Sequence, residues 1–398
     1  MTKNIPAYDF DLFSDEGILN PYEHYAKMRK LGPVVYLPET KCYAITRFEE
    51  CYIALRNSDK FISGRGVSFN PLMNDTPEMT DSVITSDAEK HKFLRKIESE
   101  PLAPKALSLL RERILEAAKG LIDDLAEREG ELHDGVRDIA CYLPFNIVME
   151  LGGLPPVGRA QMLRWAAAAF DLLGPMNARA QAALPVVQEL LTYVTKDIDR
   201  NTITPGSWAD RAFRLADEGV ITQERAGKVI ADFIAPSLDT TIAATSNLLM
   251  LLGQNRDQWE LLKKNRSKTA NAINESLRLG SPARCFSRFV PEETTLDGVT
   301  LPANSRVAIF FASANRDERK FENPDLFDIN RSNASEHLAF GTGAHQCMGN
   351  NLARLEMTAI LTSLLDRIDY FEVGEPVYAL SNLLRTLETL PIRLHAKG

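Results

Sequence analysis

The sequence predicts a mainly α-helical protein with a small β part, and three observations lead there. From about residue 89 to 275, apolar residues recur at helical spacing, broken only at "GGLPPVG" (152–158), "LLGPMN" (172–177) and "TITPGS" (202–207). The β-branched and aromatic runs that read as strands fall towards both ends of the chain, at 33–47 and 294–311. No internal repeat, low-complexity tract or linker of hinge composition divides the 398 residues, so residues 1–398 are expected to form one domain.

Taken in order, "NPYEHYAKMRKLG" (20–32) reads as a helix ended by Gly32, and "PVVYLPETKCYAITR" (33–47) as a hairpin. The segment "TQERAGKVIADFIAPSLDTTIAATSNLLMLLGQ" (222–254) has an N-cap at Thr222, an acid in its first turn and a stop at Gly253. Its second half is apolar on most faces, as expected of a helix through the middle of a core. "PSLDTT" (236–241) interrupts it. Pro236 removes a backbone donor and crowds the preceding turn, so a kink or opened turn is expected there. A carboxylate and hydroxyls buried at that point are costly unless paired or used.

Composition narrows the function. Apolar residues make up 44% and charged residues 25%, the balance of a soluble globular enzyme. The net charge is -8 and the basic residues are dispersed, which argues against nucleic acid or an anionic membrane as partner. The N-terminal stretch lacks a basic region followed by an apolar one, and no run of 18 apolar residues occurs, so a cytoplasmic, non-membrane location is expected. The five cysteines are scattered, odd in number and free of C-x-x-C pairs, which speaks against a disulfide framework or a zinc site.

One cysteine has a distinctive setting. In "HLAFGTGAHQCMGNNLARLEM" (337–357), Cys347 follows a glycine-punctuated turn and precedes a helix. A thiol can pack, attack a carbon or bind a metal. No Asn or Asp arrangement supports a nucleophilic triad with His345. Axial ligation of haem iron needs a single Cys on a loop held by backbone N–H groups, small residues for clearance, and a helix start that favours the thiolate. Gly341, Gly343 and Gly349 and the helix after Cys347 supply these.

"FGTGAHQCMG" also resembles the F-G-x-G-x-[HR]-x-C-x-G pattern of the cytochrome P450 superfamily at every fixed position. "ESLR" (275–278) resembles its E-x-x-R helix, "FENPDLFDINR" (321–331) its meander, "LDTT" (238–241) its oxygen-binding stretch and "HKFLR" (91–95) its H-x-x-x-R helix. The resemblance implies the P450 fold: a large helical domain with a long central helix over haem, and a small β-rich part. It implies haem b, with Cys347 as the axial thiolate and Phe340 packed beside the sulfur. His91, Arg95, Arg288 and His345 would pair with the propionates, and Glu275, Arg278 and Arg331 would form a salt-bridged triad under the haem loop. Asp239 and Thr240 would deliver protons to the reacting oxygen. Where many relatives carry Ala-Gly, this chain has Pro236-Ser237, which changes the expected pocket shape.

Within that superfamily, "SGRGVSFN" (63–70), "FDLLGPMN" (170–177), "SPARCFSRF" (281–289) and "FFASANRD" (310–317) resemble bacterial soluble oxygenases of para-substituted benzoates and related alkyl aromatics. This implies a haem-thiolate monooxygenase that hydroxylates or O-demethylates the para substituent of a small aromatic substrate with an anionic head group. Arg65 and Ser68 are the expected anion site. Phe170, Leu173, Pro236, Ala283 and Phe286 are the expected apolar walls. Asp232, seven residues before Asp239 and on nearly the same helix face, would repel a benzoate; an aryl phosphate, or an alkylphenol donating to Asp232, is the alternative. No flavin, ferredoxin or nucleotide-binding pattern is present, so electrons are expected from an iron–sulfur ferredoxin and its NAD(P)H reductase, docking near the Cys347 loop. Two readings of other kinds stand beside this one: a peroxide-driven haem-thiolate enzyme and a non-catalytic haem sensor or carrier.

Overall fold

The computed structural model describes residues 4–76 and 81–397. Helices carry most of it, and strands form at 33–47 and 294–311 as read from the sequence, but also at 132–134, 286–290 and within 368–396, which that reading missed. The hairpin β1 (Val34–Leu37) and β2 (Cys42–Ile45) forms near the start, and β3 (Leu132–Asp134) is a short strand inside the mostly helical stretch. Then come β4 (Phe286–Val290), β5 (Thr294–Leu296), β6 (Val299–Leu301) and β7 (Ser305–Ile309). The last four are β8 (Ile368–Val373), β9 (Val377–Tyr378), β10 (Leu387–Thr389) and β11 (Pro391–Ala396).

An early hairpin and two later strands meet in the largest sheet, whose order is β1-β2-β7-β4. β2 runs parallel to β7, with Tyr43 opposite Val307, and β4 runs antiparallel to β7, with Arg288 opposite Val307. A three-stranded sheet, β3-β11-β8, joins the helical middle to the C-terminus.

The expected long helix 222–254 is two helices. Gln223–Ser237 starts on Thr222, whose hydroxyl accepts the Arg225 N–H at 3.1 Å, and Asp239–Gln254 follows after Leu238. From Thr241 to Met250 every residue of the second helix is buried, so it threads the main core. Gly253 does not stop it. A Cβ there would meet Val373 Cγ1 at 2.6 Å, so the glycine lets the helix approach β8 and the helix ends at Gln254. The helix Asn350–Arg367 packs along Arg111–Ala126 and carries the Cys347 loop at its N-terminal end.

Candidate active site

Local chemistry builds the loop around Cys347. Gly341 and Gly343 hold φ of 64° and 77°, values that disfavour a side chain. A Cβ on Gly343 would also lie 2.6 Å from the Leu55 carbonyl oxygen, so this turn requires glycine twice over. The Cys347 N–H donates to the Phe340 carbonyl at 2.9 Å, and the Asn350 side-chain amide donates to the Cys347 carbonyl at 2.6 Å. Gly349 was expected to give clearance. A Cβ there would lie 3.9 Å from Cys347 Sγ, an ordinary contact, so the sulfur alone does not demand it.

Burial raises the Cys347 thiol above its ordinary value, while the N–H groups of Gly349 and Asn350 and the Arg95 guanidinium pull the other way. The same side chain is solvent-accessible. Both hold if Sγ faces a space inside the molecule and not bulk water. Among the described residues, no three His, Cys, Asp or Glu side chains gather as a metal site, so Cys347 has no protein co-ligands.

The helix Ala88–Ser99 brings His91 and Arg95 to this loop, and β4 brings Arg288. The rings of His91 and His345 lie 4.2 Å apart. His91 is pushed down to about 4 by burial and by the charges of His345 and Arg95, and its buried Nε2 has no partner. Arg288, 5% exposed, is pushed down to about 10 by burial. The nearest acid is Asp87, which sequence reasoning missed. Its carboxylate accepts the N–H groups of Ser63 (3.0 Å) and Gly64 (2.6 Å) and lies 3.9 Å from His345 Nε2. Arg288, His91 and His345 therefore share one engaged carboxylate, while Arg95 has Glu98 on its own helix as its acid. A cofactor with two carboxylates fits this cluster, since it would neutralise the excess charge and give His91 Nε2 a partner.

Glu275, Arg278 and Arg331 come together as expected. Arg278 donates to both oxygens of Glu275 at 2.8 Å, and Arg331 Nε donates to Glu275 Oε1 at 2.8 Å. Both charges of the first pair are fully buried. The remaining guanidinium protons go to backbone carbonyls of Asn315, Pro324 and Leu326 from Arg278, and of Glu322, Asn323 and Leu326 from Arg331. Asn315 Oδ1 in turn accepts the Leu338 N–H at 2.6 Å, which ties this network to the start of the Cys347 loop.

At the junction of the two central helices, Leu238 adopts φ -97° and ψ -71°. The Thr240 hydroxyl donates to the Pro236 carbonyl at 2.9 Å. Asp239 has no ion-pair partner among the described residues; burial and the nearby Asp171 carboxylate push its acid up to about 7. Pro236 is exposed although its helix is central, so it lines open space. A neutral acid and a hydroxyl at an opened helix turn are equipped to hold and pass protons.

Residues 172–377 match the family model for cytochrome P450. Along its length the chain is 32% identical over 392 residues to cytochrome P450 CYP199A2 of Rhodopseudomonas palustris, covering 98% of this chain and 95% of that one.

The chain belongs to the cytochrome P450 family.

This P450 is also 31% identical over 411 residues to a steroid C26-monooxygenase of Rhodococcus jostii, covering 94% of this chain and 82% of that one. Its fold superposes on the P450 haem domain of Tepidiphilus thermophilus with a TM-score of 0.82 at 25% identity, covering 96% of each chain. It is accordingly a P450 monooxygenase, an oxidoreductase whose cofactor is haem held through a cysteine thiolate and whose reaction needs dioxygen, a substrate and a redox partner. No helix among the described residues is long and apolar enough to cross a membrane.

The substrate residues expected from sequence are placed less uniformly. Arg65 is exposed and stacks on Phe289, with 4.9 Å from Cζ to the ring centroid. Phe289 and Arg288 are adjacent on β4 and so point to opposite faces, which turns Arg65 away from the cradle. Ser68 is buried and satisfied: its hydroxyl donates to the Leu173 carbonyl at 2.8 Å and accepts the Asn70 N–H at 2.9 Å. The expected anion site is therefore corrected, because both residues are engaged in structure. Phe170 also moves from wall to core, buried in the cluster of Phe13, Tyr25 and Phe310. Leu173, Ala283 and Phe286 are half-buried, as a wall requires. Asp232 does not stand free, since Arg225 Nη2 lies 3.1 Å from Oδ2 and the Val83 N–H donates to the same oxygen at 3.3 Å. Arg225, seven residues earlier on the same helix, was the signal available in the sequence.

Proposed function

We propose that the whole chain acts as one haem domain in which Cys347 supplies the thiolate, and that it inserts one oxygen atom of dioxygen into a small para-substituted aromatic substrate, by hydroxylation or O-demethylation of the para group. The observation that carries the first part is the Cys347 loop, where N–H groups face a sulfur that borders interior space. When bound, haem activates dioxygen. The protein's own tasks are separate from that. Phe340 and the loop N–H groups exclude water from the sulfur and orient it. His91, Arg95, Arg288 and His345 hold the propionates. Glu275, Arg278 and Arg331 keep the loop rigid. Asp239 holds a proton beside Thr240 and passes it towards the substrate side. Electrons come from a separate ferredoxin and its NAD(P)H reductase, docking on the Cys347 side.

The geometry favours a neutral head group over an anionic one. Arg65 and Ser68 are engaged elsewhere, and Asp232 is already neutralised by Arg225. Asp239, pushed up to about 7 and with no ion-pair partner among the described residues, offers no positive charge to hold an anion. The test is a screen of 4-methoxybenzoate, 4-alkylphenols, 4-ethylphenyl phosphate and neutral para-substituted benzenes for the low-spin to high-spin Soret shift. Neutral compounds are expected to shift the spectrum at lower concentration than anions of the same shape. Tighter binding of the anions overturns the head-group reading. A dithionite-reduced carbonyl complex without the thiolate red shift overturns Cys347.

A further inference from the structure

A buried ion cluster lies on the first of the two central helices, Gln223–Ser237, and is used by none of the steps above. Arg225, 8% exposed, sits at its centre. Arg225 Nη2 donates to Glu98 Oε1 at 2.9 Å and to Asp232 Oδ2 at 3.1 Å, and Nη1 donates to the Asp81 backbone carbonyl. The Asp81 carboxylate pairs with Lys90 at 2.8 Å and with Lys228 at 3.2 Å. The Val83 N–H donates to Asp232. One planar guanidinium thus joins three pieces of chain: the helix Gln223–Ser237, the cradle helix Ala88–Ser99, and the segment 81–86 between them. A lysine would have to gather all three acceptors around one nitrogen, whereas the guanidinium spreads them over two.

Segment 81–86 has little secondary structure of its own, yet Val83, Thr85 and Ser86 are buried. One end is held against Asp232, about one turn before the opened turn at Pro236–Thr240. The other end runs through Asp87 into His91 and Arg95, whose charge acts on Cys347. The segment therefore spans from the central helix to the cluster beside the cysteine loop. A segment held by a few charge-assisted bonds, with no regular ladder, opens as a unit when those bonds break.

We propose that Arg225 is a positioning residue that clamps segment 81–86 against the central helix, and that release of this clamp sets the rate at which ligand reaches the pocket. The proposal rests on the chain being a P450 and not on the substrate class, so failure of the head-group reading leaves it standing. The probe is 4-phenylimidazole binding to the ferric holoenzyme, with amide hydrogen exchange of residues 82–86 read in parallel. Arg225→Met is expected to speed both association and dissociation by about tenfold or more, because several charge-assisted bonds are lost together. Affinity then changes little, exchange of 82–86 rises in step, and the reduced carbonyl spectrum keeps its thiolate signature. A fall in thermal stability with both rates and the segment's exchange unchanged overturns the proposal. Should Arg225→Met fail to fold, Asp81→Asn removes only the outer ties and is expected to raise the same rates about threefold. No change in that variant overturns it equally.

Discussion

Around Glu275, under the Cys347 loop, every charge is answered; around Asp239, at the opened turn of the central helix, the one carboxyl is not. Glu275 accepts from two arginines, and those arginines spend their other protons on backbone carbonyls. Asp239 has an acid, Asp171, as its charged neighbour. The first arrangement is stiff because breaking any bond strands a buried charge. The second keeps a titratable proton and a bent backbone beside open space. Full satisfaction thus goes with the stiff network tied to the cysteine loop, and an unpaired acid with the opened turn that is proposed to pass protons.

The largest expected effect is on the saturated side. Glu275→Ala leaves two buried guanidinium groups without their acid and should cost about 3–5 kcal/mol, so little folded holoprotein should accumulate. Its yield and thermal midpoint would tell; a stable, haem-loaded variant would mean the triad is not what stiffens the loop. Cys347→Ser should fold but lose the thiolate red shift of the reduced carbonyl form, together with turnover. Asp239→Asn should leave folding intact and lower product formation roughly 10²-fold, the usual contribution of a positioned acid. If product per NADH and NADH consumption are both unchanged, Asp239 has no part in proton delivery.

The pH dependence sharpens the contrast. The acid of Asp239 is pushed up to about 7, so it is neutral below that and charged above. Product formation that needs its proton should fall as pH rises through about 7. The same shift bears on stability. A raised pKa means the folded state holds a proton that the unfolded chain has lost. That contribution is full below the ordinary carboxylate range and is lost as pH climbs through about 7. Asp239→Asn should therefore gain thermal stability relative to the parent on the alkaline side, and an unchanged difference across that window would mean the carboxyl is not neutral when folded. The smallest effect is expected at Arg65. With its guanidinium on Phe289, Arg65→Ala should change the affinities of 4-methoxybenzoate and a neutral analogue by no more than about 0.5 kcal/mol each. A selective loss for the benzoate would return the arginine to the pocket.

Residues close in sequence were the readable ones. The turn at Gly341 and Gly343, the helix start after Cys347, the Glu275–Arg278 pair at i, i+3 and the break at Pro236 all follow from backbone conformations of contiguous residues. Glycine was readable only in part, because Gly253 looks the same in sequence whether it ends a helix or admits a neighbour, and Val373 is 120 positions away. The long-range polar partners were not readable at all. Asp87 and Glu98 carry no motif, and Arg65 and Ser68 offered the right chemistry but are engaged elsewhere.

What the sequence determined by itself is the mainly helical class, the cysteine loop and the break in the central helix, written in short-range backbone rules and spacings, while the fold and the class of chemistry were implied by the family resemblance of its motifs. What the tertiary structure decided is which charges meet. With 46 basic and 54 acidic residues, the sequence allows many pairings of nearly equal worth, and packing selects among them. It set Arg225 between Glu98 and Asp232, turned Arg65 outward onto Phe289, and left Asp239 without an ion-pair partner among the described residues.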